Sequence, residues 1–212
     1  VAAIAVVGPV FSLATAAATM LGAGGSAVIA KALGAQEYDK VRACGSLCIW
    51  SSLLFGGVFG AVMLAASETV LGFFGATEDI LGYAKTYMQA LSLGAPLMIF
   101  SVVMATVVRA EGAVIPGMLS NMAGTVTNLL LDPLFILIFG MGVTGAAIAT
   151  VLGNLVACAM LARFIIKKSA VLKFSPQYAQ NQRPLLLHTL ALGLPNGLSS
   201  ILSGFASTFS NQ

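Results

Sequence analysis

Residues 112–139 read GAVIPGMLSNMAGTVTNLLLDPLFILIF, an apolar run whose only charged residue is Asp132. About 20 apolar residues suffice for a helix to cross a hydrocarbon core about 30 Å thick, and this run is long enough. A carboxylate inside such a run is costly, and intramembrane ionisable residues mark ion, proton or substrate sites. Asn128 and Asp132 are four apart, so on a helix both polar groups face the same way. The stretch is therefore read as an ion or proton site in a membrane transporter, in preference to an enzyme's acid or base.

The whole chain agrees with that reading. It has 212 residues, of which 58% are hydrophobic and 8% charged. Soluble domains carry about 25% charged residues, so this chain cannot cover a water-facing surface. Its mean hydropathy is +0.98. The net charge of +3 is small, and no basic patch is interleaved with aromatics, which argues against a nucleic-acid partner. Cys44, Cys48 and Cys158 have no nearby histidine or further thiol to complete a zinc site and read as buried apolar side chains. No serine, histidine and acid are spaced for hydrolysis, so no enzyme activity and no cofactor is expected. The glycines at 22, 24 and 25 lack the strand and lysine of a phosphate loop. With Ser26 and Ala27 they form a small-residue patch suited to close helix packing.

Six apolar runs follow one another: 1–30, 43–67, 86–108, 113–139, 143–166 and 184–212. Gly56, Gly57 and Gly60 give the second run another close-packing face. Residues 68–85 read as a loop with some helix at the interface. Pro96, Pro133 and Pro195 are expected to bend their helices, because each removes a backbone hydrogen bond. Pro195, Asn196 and Gly197 form a candidate break of the kind found in discontinuous transporter helices. Arg109 and Glu111 read as an interfacial anchor or local ion pair, His188 as interfacial, and Met98, Phe100 and Met104 as packing. The chain begins at Val1 and is still apolar near Gln212, so it is read as part of a longer membrane protein.

Charge placement orients the spans. With six spans, Lys31, Lys40, Arg42, Arg109, Arg163, Lys167, Lys168, Lys173 and Arg183 fall on one side, nine of the ten basic residues. Lys85, Glu68, Glu78 and Asp79 fall on the other. The positive-inside rule makes the first side cytoplasmic.

Spans four and five form a hairpin turning near Met141. Asp132 lies nine residues before that turn and Thr150 nine after it, while Asn128 and Asn154 are each thirteen away. Equal counts predict equal depths, roughly 13–20 Å from the turn at ~1.5 Å per residue. Asp132, Asn128, Thr150 and Asn154 are thus predicted to form one oxygen-rich cluster. Asp132, Asn128 and Thr150 suit a hard cation such as Na⁺. Alternatively Asp132 carries a proton, because burial raises a carboxyl's pKa. Pro133, lacking an N–H, is expected to free a carbonyl near Leu129.

These features, taken together, resemble the multidrug and toxic compound extrusion (MATE) transporter family. GAGGSAVIAKALGAQEYDKV at 22–41, VVRAEGAVIPGMLSNMAGTVTNLLLDPLFI at 107–136, GMGVTGAAIATVLGN at 140–154 and GLP at 193–195 carry the resemblance, in order and with the right spacing. It implies an all-α polytopic membrane protein, with about six of twelve transmembrane helices present. Residues 1–166 would be helices two to six of the N-terminal lobe, 167–183 the cytoplasmic inter-lobe linker, and 184–212 the first helix of the C-terminal lobe. The implied activity is antiport: organic cations, drugs or toxic metabolites leave in exchange for Na⁺ or H⁺. In the DinF-like branch, which the LDP sequence at 131–133 favours, the motif positions match Asn128, Asp132 and Thr150. The implied partners are small amphipathic or cationic substrates, the bilayer and the remainder of the full-length chain, in a bacterial-type cell membrane. A lipid-linked precursor flippase and a non-transporting structural membrane protein are the alternatives.

Overall fold

The computed structural model describes residues 2–73, 78–169, 172 and 183–210. Among these, every regular element is a helix. They are α1 (Ala2–Gly34), α2 (Tyr38–Ala65), the short α3 (Ser67–Phe73), α4 (Glu78–Ala110), α5 (Val114–Pro133), a π-helical turn (Leu134–Ile138), α6 (Gly142–Lys167) and α7 (Arg183–Ser210). Six of them are long and apolar enough to cross a membrane, matching the six runs. Of the expected linker at 167–183, residues 170–171 and 173–182 lie outside the described residues.

Three of the junctions are tight. Gln36 adopts a positive φ of 59° between α1 and α2, and Gly112 one of 96° between α4 and α5. Gly140 and Gly142 bracket the α5–α6 turn, also with positive φ, the conformation glycine adopts without penalty. Short links make the helices run up and down, so Lys31, Lys40, Arg42, Arg109, Arg163, Lys167 and Lys168 gather at one end. At the opposite end Lys85 of α4 pairs with Glu68 of α3. The Lys85 ammonium holds the Glu68 carboxyl below its usual range.

α4 is the most buried span and packs on α1, α2, α5 and α6; α5 is the least buried. One core cluster, toward the basic end, joins Ile29, Cys48, Ile99, Val103, Met104, Val107 and Leu161. A second, toward the other end, joins Val7, Phe11, Leu71, Met88, Leu91 and Ala147. The three cysteines are buried free thiols. Phe100 and Met104 are core, and Met98 packs against the second cluster.

The small-residue patch of α1 is a crossing point. A Cβ on Gly24 would stand 1.8 Å from the Thr189 carbonyl oxygen of α7, and one on Gly193 would stand 1.8 Å from that of Met20. Only two hydrogen side chains allow backbones this close. One turn along, Gly197 sits against Met20. α1 therefore braces α7 on both sides of Pro195. α7 runs unbroken through that proline, and the candidate break at 195–197 does not occur. Packing supplies the support that the missing N–H removes. α4 likewise continues through Pro96 and begins at Glu78, so much of the expected 68–85 loop is helix.

Candidate functional site

The site is built where α5 crosses α6. A Cβ on Gly124 would lie 2.8 Å from the Gly153 carbonyl oxygen, and one on Gly153 would lie 2.6 Å from that of Gly124. The two backbones touch there, and the polar side chains one turn away are brought within reach. Asn128 Nδ2 donates to Thr150 Oγ1 at 3.3 Å. Thr150 Oγ1 in turn donates to the Ala146 carbonyl at 2.9 Å. Asn154 Nδ2 donates to the Thr150 carbonyl at 2.9 Å. Its Oδ1 accepts from Ser101 Oγ on α4, also at 2.9 Å. One polar chain thus links α4, α5 and α6.

This chain faces a cavity of about 240 Å³, whose polar walls are Ser101, Asn121, Thr125, Asn128, Thr150 and Asn154. Amide and hydroxyl oxygens are ligands that a hard monovalent cation accepts. The cavity is also roomy enough for several waters, each occupying about 30 Å³.

Asp132 stands one helical turn beyond Asn128 on α5 and does not line this cavity. Its Oδ1 is buried and has no hydrogen-bond partner among the described residues. A buried carboxylate oxygen without a partner is expensive unless a proton or cation satisfies it.

The hairpin count predicted Asp132 opposite Thr150 and Asn128 opposite Asn154. The structure bonds Asn128 to Thr150 and sets Asn128 against Gly153, beside Asn154, so Asn128 lies between the two polar residues of α6. The connection departs from a regular α-helix. Residues 134–138 wind as a π-helix, with Phe139 N–H bonded to the Leu134 carbonyl at 3.0 Å and Met141 N–H to that of Phe135 at 3.0 Å. A π-turn takes up more residues per unit length than an α-turn, but one of five residues shifts the depth of residues counted back from Met141 by much less than a helical turn. Pro133 ends the α-helical part of α5 directly before this turn. Asn128, Thr150 and Asn154 are joined, while Asp132 is adjacent but separate.

Sequence reasoning did not name Ser101, Asn121 or Thr125. Asn121 and Thr125 were legible: with Asn128 and Asp132 they are spaced i, i+4, i+7, i+11 and form one polar stripe along α5. Ser101 has no such signal, since serines on a membrane helix commonly bond their own backbone. At the basic end, Ser169 Oγ donates to Glu111 Oε1 at 2.6 Å and accepts the Leu172 N–H at 2.8 Å.

Comparison with known proteins gives consistent matches. The MatE family model matches residues 1–134. Multidrug export protein MepA of Staphylococcus saprophyticus is 29% identical over 204 residues, covering 96% of this chain and 45% of that protein. MepA of Staphylococcus aureus is 29% identical over 205 residues, covering 97% of this chain and 46% of its own length. A solved inward-facing multidrug resistance MATE transporter of the MOP superfamily superposes with a TM-score of 0.91 at 31% identity, over 98% of this chain and 48% of that one. The chain spans about half the length of the relatives it matches.

Proposed function

The chain belongs to the MatE family, and on that footing we propose that it forms the N-terminal lobe and the first C-terminal-lobe helix of an antiporter in the cell membrane. The antiporter exports small amphipathic or cationic organic compounds in exchange for Na⁺ or H⁺. The basic end faces the cytoplasm. The observation that carries the reading is the buried, unpartnered Oδ1 of Asp132, one turn from the amide–hydroxyl pair of Asn128 and Thr150.

In the proton version, a proton on the Asp132 carboxyl supplies the partner that its Oδ1 lacks while the surroundings are closed to water. Asp132 releases the proton when the surroundings open to the cytoplasm. In the sodium version, the carboxylate stays charged and the ion supplies the missing partner, with the oxygens of Asn128 and Thr150 completing the site. Either event favours one packing of α5 against α4 and α6, and coupling requires only that the ion bind the two packings with different affinity. The π-turn after Pro133 supplies an irregular stretch where α5 can rewind, and such turns recur at functional positions.

The driving force has a magnitude. A singly charged substrate exchanged one-for-one with Na⁺ or H⁺ moves no net charge, so the membrane potential cancels. A neutral substrate adds the potential, about 2.3 kcal/mol per charge at 100 mV, or roughly 50-fold in accumulation ratio.

The test uses the full-length protein in liposomes, following efflux of a fluorescent organic cation under an imposed Na⁺ gradient and then a pH gradient. In D132N, gradient-driven efflux is expected to fall to the leak rate. Full ion-dependent export by D132N would overturn the assignment.

A further inference from the structure

At the basic end, a cavity of about 220 Å³ lies between α1, the start of α2 and α7. Its charged and titratable lining is Lys31, Glu37, Lys40 and His188, and its walls include Leu185 and Leu192. Glu37 is engaged: its carboxylate pairs with Lys40 at 2.6 Å, a partly exposed i, i+3 bridge. Lys31 has no carboxylate within ion-pair distance among the described residues. The groove therefore carries a net positive charge with one cation unspoken for. Lys31 also sits in the last turn of α1, so its charge is aimed at the helix ends that meet the membrane surface.

The chemistry is two-faced. Cations line the end that meets the cytoplasmic headgroup layer, and leucines of α7 line the walls. Basic pockets between transmembrane helices on the cytoplasmic side are suited to anionic headgroups. We propose that this groove binds the phosphate of an anionic phospholipid, held by Lys31, Lys40 and His188, with the lipid's methylenes against Leu185 and Leu192. A bound lipid would bridge α1 and α7 about two turns from the Gly24–Gly193 crossing and so bias how those helices move against each other. The site shares no residue with the Asp132 region and does not depend on which ion is coupled.

The experiment is native mass spectrometry of the full-length protein released from nanodiscs of phosphatidylethanolamine with added phosphatidylglycerol. The wild type is expected to retain phosphatidylglycerol over phosphatidylethanolamine. The K31Q/K40Q/H188Q variant is expected to lose that preference, by about fivefold for each lysine, the scale of one basic residue's attraction for an anionic leaflet. K31R/K40R should retain it, which guards against misfolding as the cause. K167Q/K168Q removes two cations at the same end but outside the groove, and should leave retention unchanged. Equal loss in that control, or no preference in the wild type, would overturn the proposal. Displacement of the lipid by millimolar inorganic phosphate would reassign the groove to a soluble phosphate and overturn its lipid part.

Discussion

Substituting Gly193 by alanine tests the packing on which the whole arrangement of α1 and α7 rests. The new methyl would begin 1.8 Å from the Met20 carbonyl oxygen and 2.7 Å from its carbon. Ordinary contact starts near 3.4 Å, so the helices must part by about 1.6 Å at that point, and the obstacle is backbone that cannot rotate away. Overpacking of this kind costs typically 1–3 kcal/mol, occasionally more. Gly124→Ala is the milder member of the series: its methyl would lie 2.8 Å from the Gly153 oxygen and needs about 0.6 Å of relief. Gly57 is the control, with nothing within 4 Å of its Cβ, and its alanine variant should be neutral or gain up to about 1 kcal/mol in helix propensity. Thermal unfolding of the full-length protein in detergent, read by size-exclusion of the surviving fraction, should rank the midpoints G57A, then G124A, then G193A. Efflux should add a distinction. G124A pushes apart the pair Asn128–Thr150, already at 3.3 Å, to a length that no longer counts as a hydrogen bond, and should impair ion coupling more than its stability loss implies. A G193A protein as stable and active as the wild type would refute the close crossing.

Further outcomes follow from single contacts. Ser101→Ala removes the donor to Asn154 Oδ1 and should cost about 0.6 kcal/mol, the average for polar contacts between membrane helices; a larger loss of ion-driven efflux than of thermal stability would mark Ser101 as part of the ion path. Glu68 has a lowered pKa because of Lys85, so its contribution to stability is present above the ordinary carboxylate pKa and is lost as pH falls through the lowered one. Lys85→Gln should abolish that acid-limb dependence, measured as unfolding midpoint against pH at low salt, with little change at neutral pH because the pair is exposed. Cys44, Cys48 and Cys158 are buried in the bundle, so a membrane-impermeant maleimide should leave them unlabelled in native membranes and label them after denaturation.

Composition and charge carried most of the fold. Six charge-poor runs can only be buried in lipid as helices, because that is the one local structure that satisfies every backbone group within a single segment. Basic residues at alternate links then ordered the ends. The address of the polar site was legible too, since Asp132 is the one carboxylate in a run of 28 apolar and polar neutral positions and Asn128 is on its face. Tertiary structure alone decided the partners. Residue counting gives similar depths, and the bundle's own contacts chose the partner, bonding Asn128 to Thr150. Ser101 joined from α4, 53 residues from Asn154, with nothing local to announce it. Pro195 reads as a break when seen alone, yet α7 runs through it because α1 packs against the turns on either side. A sequence determines which residues must leave water and which helices they form. Which glycine faces which carbonyl depends on where two helices cross, and that is a property of the assembled bundle.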